Sequence, residues 1–169
     1  MREVQGSRFS HTYMERFWPK TANNRDLNYP MKGIRYPYGD LDDVIDLLYR
    51  DPYTRQAYFP IFFPEDTGAV HGGRTPCTLG YHFMMRENRL NMFYPIRSCD
   101  IMRHLRDDIY LACRLLLWVL NQLDTKEHEE SSSNSLWTNV SPGNLMMQIY
   151  SLHMFIADKE ILEYRRSLK

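Results

Sequence analysis

The chain has 169 residues, 43% of them hydrophobic and 25% charged, with a formal net charge of zero. That length suits one domain, residues 1–169, with a core large enough to hold without staples. The charge balance gives no general drive onto nucleic acid or an anionic membrane, although a few arginines can still build a local anion site. Its three cysteines, Cys77, Cys99 and Cys113, are odd in number, with no CxxC or Cys/His spacing that suits zinc. Reduced thiols in a cytoplasmic protein without a metal are the expectation. Met1–Gln5 lacks the apolar core of a signal peptide, and Leu115–Leu120, the longest apolar run, is too short to span a bilayer.

Residues 1–39 are broken by Pro19, Asn23, Asn24, Pro30, Gly33, Pro37 and Gly39, so a mostly irregular course is expected, with a short strand at Arg8–Tyr13. Asp40 then reads as the N-cap of a helix in which Leu41, Val44, Ile45, Leu47 and Leu48 have helical spacing, and which stops at Asp51-Pro52. Thr54–Phe63 has the aromatic and Ile content of a strand, with Pro60 marking an edge or a bulge. A loop from Pro64 to Pro76 leads to two strand-like runs, Cys77–Arg86 and Arg89–Tyr94, joined around Glu87-Asn88 as a hairpin.

From Asp108 the chain is apolar almost all round, through Ile109, Leu111, Ala112, Leu115, Leu116, Val119 and Leu120, which predicts a buried central helix with Cys113 in the core. Gln122–Pro142 is polar and predicts a mobile surface insert, centred at about 124–141. Asn144–Phe155 predicts a strand and Lys159–Leu168 a short helix. The sum is an α+β fold with a mixed or largely antiparallel sheet and without βαβ alternation.

Several residues carry candidate chemistry. Cys77 follows a proline at a strand start and is a candidate nucleophile, because thiolates attack electron-poor carbon; a buried, inert cysteine is the commoner fate. Arg97 and Arg55 are candidate anion ligands, since a guanidinium binds phosphate through two parallel hydrogen bonds; a surface ion pair is the commoner fate. Asp108 is locally a helix cap. His153, in an apolar run, is locally a satisfied core histidine.

The order of these residues adds what no one of them supplies. Pro76-Cys77, Arg97-Ser98-Cys99-Asp100, Asp108 and Ser151-Leu152-His153 resemble the thymidylate synthase superfamily. There a Pro-Cys nucleophile precedes an Arg-Ser-x-Asp motif, an Asn or Asp, and an Asp-x-His-x-Tyr segment. Asp51-Pro52-Tyr53-Thr54-Arg55 is similar to the family's Pro-x-Ser-Arg-Arg element, and Pro142-Gly143-Asn144-Leu145 to its Pro-Gly strand start. The resemblance spans residues 40–157, and more faintly 8–18. Asp108 in place of the usual Asn, Cys77-Thr78, Arg106 and the Ser-Leu-His run lean toward the deoxycytidylate (cytidylate) 5-hydroxymethylase branch. Gln56 replaces the second arginine of the family pair, Phe155 replaces the tyrosine after the histidine, and neither Glu3 nor Glu15 is a convincing counterpart of the catalytic glutamate.

The resemblance implies a thymidylate synthase-like fold and transfer of a one-carbon unit from 5,10-methylenetetrahydrofolate to C5 of a pyrimidine nucleoside monophosphate. It implies Cys77 as nucleophile, Arg97 and Ser98 on the phosphate, and Arg55 reaching the phosphate of a partner subunit in a homodimer. It also implies Asp100 near pyrimidine and pterin, Asp108 reading the base edge, and His153 on a sugar hydroxyl. Two alternatives stay open: an enzyme of the same fold acting on dUMP, and a nucleotide-binding protein that has lost the cofactor machinery.

Overall fold

A computed structural model describes residues 13–19, 39–67, 75–130 and 135–168. The elements are helices α1 (Tyr13–Phe17), α2 (Leu41–Arg50), α3 (Leu105–Glu129) and α4 (Ile156–Ser167). The strands are β1 (Tyr58–Pro60), β2 (Gly80–Arg86), β3 (Arg89–Ile96), β4 (Cys99–Asp100), β5 (Ser141–Ile149) and β6 (Leu152–His153). The described residues thus form a mixed α+β fold.

Helix α2 starts where its local chemistry demands. Asp43 Oδ2 accepts from the backbone N–H groups of Gly39 and Asp40 at 2.7 and 3.0 Å, which closes the first turn. The helix buries Leu41, Val44, Ile45 and Leu48, and stops where Asp51-Pro52 disfavours a further turn. Between β2 and β3, Glu87 and Asn88 both have positive φ, 53° and 55°. Two such residues in a two-residue connection give the turn whose twist matches a hairpin.

The main sheet has the order β1-β2-β3-β5. Strands β1 and β2, and β2 and β3, pair antiparallel; β3 and β5 pair parallel. A parallel neighbour needs a crossover, and here β4 and α3 supply it. This βαβ connection departs from the expectation of none, because β5 returns parallel to β3; the start of the polar stretch expected as a loop, through Glu129, is helix. Helix α3 runs on through Glu129, since Leu123 and Glu127 still face the interior. Glu127 Oε1 accepts from the N–H groups of Leu136 and Trp137 at 2.7 and 3.0 Å, and Oε2 from the N–H and hydroxyl of Thr138 at 2.9 and 3.0 Å. That carboxylate organises the short 3-10 turn Trp137–Asn139, with Trp137 buried.

One sheet face carries Phe59, Tyr81, Phe83, Met85, Leu90, Met92, Tyr94 and Ile96, all buried in one cluster with Ala112, Leu115, Leu116, Val119, Leu120 and Leu123 of α3. The other face bears a cross-strand row, Tyr58–His82–Phe93–Met146, set by consecutive register pairs. Tyr58 and Met146 are each 44% exposed. Helix α3 is buried only on the sheet side. Ile109, Tyr110, Leu111 and Leu117 are exposed, and so is Cys113, contrary to the expected core position. An all-round apolar helix does not reveal which of its faces the chain covers, and the described residues cover one. Helix α1 also departs from expectation: Tyr13 opens a helix rather than closing a strand. Residues 8–12, 68–74 and 131–134, the last in the middle of the expected insert, lie outside the described residues. Among the described residues, no helix is long and apolar enough to cross a membrane.

Candidate functional site

The site lies where β3 and β5 bend into β4 and β6. The pairing does not stop at the bend. Tyr150 N–H donates to Ile96 O, Cys99 N–H to Ser151 O and Ile101 N–H to His153 O, at 2.9–3.0 Å. The continuous ladder carries Ser98 alongside His153, whose Nδ1 lies 3.5 Å from Ser98 Oγ. The His153 ring meets Phe155 edge-on at 5.7 Å.

Cys77 is delivered to this corner from the other side. Thr78 bridges to Ile96, and Arg97 N–H donates to Cys77 O at 2.9 Å. The Arg97 side chain adds three bonds to the same segment: Nε to Pro76 O at 2.9 Å, and Nη2 to Thr75 O and Oγ1 at 3.1 Å each. The guanidinium therefore holds the loop that presents the thiol, and Cys77 is itself partly exposed.

Behind Cys77 lies a buried hydroxyl chain that sequence reasoning missed. Thr78 Oγ1 is 2.9 Å from both Tyr13 Oη and Tyr94 Oη. The Tyr81 and Tyr94 rings meet at a 34° tilt, 4.9 Å between centroids. Burial raises the hydroxyl pKa of Tyr13, Tyr81 and Tyr94, so all three stay protonated donors. The Asp108 carboxylate disfavours ionisation of each as well. The available signal was the pair Tyr81 and Tyr94 at buried alternation positions of adjacent strands; nothing local points to Tyr13, which is 65 residues from Thr78.

Cys99 is 2% exposed and joins the two halves. Its thiol donates to Asp108 Oδ2 at 3.5 Å, with a longer contact to Asp100 O at 3.8 Å. Burial, then the Asp108 carboxylate, pushes the Cys99 thiol up to about 12. Asp108 is half-buried in the first turn of α3, and burial raises its carboxyl pKa against the opposing pull of Cys99 and His104. Asp100 is buried. Burial raises its pKa, but the N–H groups of Met102 and Arg103 on Oδ1, at 2.8 and 3.0 Å, outweigh that and hold it below the usual carboxylate range. Its Oδ2 has no hydrogen-bond partner; Arg103 Nε stands 3.9 Å away, beyond reach.

Of the residues expected at the site, Cys77, Arg97, Ser98, Asp100, Asp108 and His153 thus share one corner of the fold. Arg55 does not join them within the chain. It is exposed, and its carbonyl oxygen lies 3.1 Å from His82 Nε2, which belongs to the outer sheet face. Among the described residues, no group of three or more His, Cys, Asp or Glu is arranged to hold a metal ion. No protein-family model and no curated protein matches this chain.

Proposed function

We propose that the protein is a pyrimidine-nucleotide C5 hydroxymethyltransferase with cytidylate, CMP or dCMP, as its substrate. The observation that supports the reading is that Arg97 holds the Pro76-Cys77 segment while Cys99, two residues on, donates to Asp108. A thiol, a guanidinium and a carboxyl of raised pKa at one corner suit a small, flat, anionic substrate open to nucleophilic attack.

In this reading the Cys77 thiolate adds to C6 of the ring and makes C5 nucleophilic. Arg97 and Ser98 take the phosphate, His153 takes a sugar hydroxyl, and Asp108 reads the base edge. Cytosine offers an amino donor at position 4 and an acceptor at N3, which a carboxyl group complements better than an amide does. Methylenetetrahydrofolate, when bound, supplies a one-carbon unit at the oxidation level of formaldehyde. Asp100 fits such a partner, because its buried, unpartnered Oδ2 is an acceptor for pterin N–H donors. C5 would take that unit with loss of its own proton and release of tetrahydrofolate; water then adds to the exocyclic methylene on C5, and Cys77 leaves C6 as thiolate to give the 5-hydroxymethyl nucleotide.

A homodimer belongs to the same reading. The row Tyr58–His82–Phe93–Met146 offers a second copy an apolar sheet face, and Arg55 borders that face through His82. A copy docked there receives Arg55 beside its own phosphate subsite.

The test uses CMP, dCMP and dUMP labelled with tritium at C5, with methylenetetrahydrofolate or formaldehyde. Release of tritium and a 5-hydroxymethyl product from cytidylate, both abolished by Cys77→Ala, are the expected results. Binding of nucleotide without release points to a non-catalytic binder, and preference for dUMP to an enzyme acting on uridylate. Absence of both binding and release with folded, dimeric protein overturns the proposal.

A further inference from the structure

Cys99 is not needed as a nucleophile, yet its thiol faces the one carboxyl group assigned to base recognition. We infer that Cys99 is a positioning residue that sets base specificity: by donating to Asp108 Oδ2 it keeps that oxygen an acceptor and directs the carboxyl proton to Oδ1, the oxygen that meets N3 of cytosine. The inference rests on the cytidylate reading above.

Burial raises the Asp108 carboxyl pKa and so favours its neutral form, in which the two oxygens differ. An acid group has one donor oxygen and one acceptor oxygen. Facing cytosine, it must donate to N3 and accept from the 4-amino group. Facing uracil, it must accept from N3–H and donate to O4. A free acid satisfies either base by moving its proton from one oxygen to the other, so the group alone discriminates poorly. Discrimination requires something that fixes which oxygen holds the proton.

The structure supplies one such group. Cys99 Sγ lies 3.5 Å from Asp108 Oδ2, a normal distance for a thiol donor. The thiol is 2% exposed, on β4, where the ladder to β6 holds its backbone. A thiol pushed up to about 12 keeps its proton, and so remains a donor, throughout the physiological range. Its other contact, Asp100 O at 3.8 Å, is the longer one.

The other groups that act on Asp108 do not perform this task. His104 and Asp107, in and beside the first turn of α3, act on its carboxyl with opposite sign. The hydroxyls of Tyr13 on α1, Tyr81 on β2 and Tyr94 on β3 feel its charge, but their hydrogen bonds run to Thr78 and to one another. Among the described residues, Cys99 is the side chain that donates directly to the Asp108 carboxylate.

The experiment compares wild type, Cys99→Ser and Cys99→Ala. The Asp108 carboxyl is followed by carbon-13 NMR through a pH titration without nucleotide and assigned by its loss in Asp108→Asn. The affinities for CMP and UMP are then measured on the same proteins. Cys99→Ala moves the Asp108 midpoint to higher pH, because a group that favoured the carboxylate has gone. It also lowers the CMP-over-UMP preference by about tenfold, the scale of one well-placed base contact. Cys99→Ser keeps a donor, and so keeps the preference and moves the midpoint less.

An unmoved midpoint in Cys99→Ala overturns the inference, as does an unchanged CMP-over-UMP ratio. Loss of the preference in Cys99→Ser with a normal melting temperature also overturns it. If wild type binds CMP selectively and Cys99→Ala does too, the inference fails while the cytidylate reading stands. If wild type binds neither nucleotide, that reading fails and takes the inference with it.

Discussion

Replacing Arg16 with Met tests how the N-terminal helix is held against the site. Arg16 is 1% exposed and extends from α1 into the loop after β1. Its Nη1 donates to Ile61 O at 2.8 Å and to Asp66 Oδ2 at 2.6 Å, and its Nη2 to Asp66 Oδ1 at 2.9 Å. The guanidinium also lies 5.1 Å over the Phe63 ring. Met keeps most of the apolar contact and removes the charge. Removing one partner of a buried ion pair costs about 3–5 kcal/mol, mainly because the other charge stays behind. Asp66 Oδ2 retains the Phe63 N–H at 2.8 Å, which argues for the lower end, about 3 kcal/mol. For a chain of this length that corresponds to a Tm lower by about 6–12 °C. Urea unfolding followed by tryptophan fluorescence measures the loss, and a cycle with Asp66→Asn isolates the pair, with an expected coupling of about 2 kcal/mol. A loss below about 1 kcal/mol, or additivity within about 0.5 kcal/mol, refutes the account.

Two further outcomes follow from the buried polar groups. Thr78→Val keeps shape but removes the hydroxyl between Tyr13 and Tyr94, and lowers stability by about 1–3 kcal/mol in the same denaturation assay; a change under about 0.5 kcal/mol contradicts the network. Glu127→Gln turns one acceptor end into a donor facing backbone N–H groups, and lowers the Tm by about 5 °C at neutral pH. Burial raises the Glu127 pKa, but its N–H and hydroxyl donors outweigh that and hold it below the ordinary value. Its contribution is therefore complete above about pH 4.3, the unfolded value, and is lost as pH falls through the folded one. Calorimetry from pH 7 to pH 3 shows the wild-type advantage over Glu127→Gln shrinking; a constant gap contradicts the assignment.

Local chemistry made several elements legible. Asp40 before Leu41-Asp42-Asp43, the Asp51-Pro52 stop and the Glu87-Asn88 turn each act within a few residues, and the structure has an α2 helix and a β2–β3 hairpin there. Helix α3 departs from its sequence pattern twice. Lys126-Glu127-His128-Glu129-Glu130 reads as a solvated run, but Glu127 is recruited inward by Leu136, Trp137 and Thr138. The apolar residues around Cys113 read as core, but burial belongs to a surface and not to a residue, and no described element covers that side. At the site, chain order brought out the residues at the β3–β4 and β5–β6 bends. It did not bring out Tyr13, Thr78 and Tyr94, or the contact of the Cys99 thiol with Asp108, all of which depend on tertiary folding.

The parallel pairing of β3 with β5 has a consequence for the order in which the corner is built. Cys77, Arg97 and Thr78 are gathered by the β2–β3 hairpin and its flanks, with short loops to close. His153 reaches Ser98 only after the chain has passed through β4 and all of α3 and returned to β3, a much longer closure. Such non-local pairing is the slow part of folding. The Arg97 contacts that hold the thiol loop are therefore the more local ones, and the histidine wall costs the longer closure.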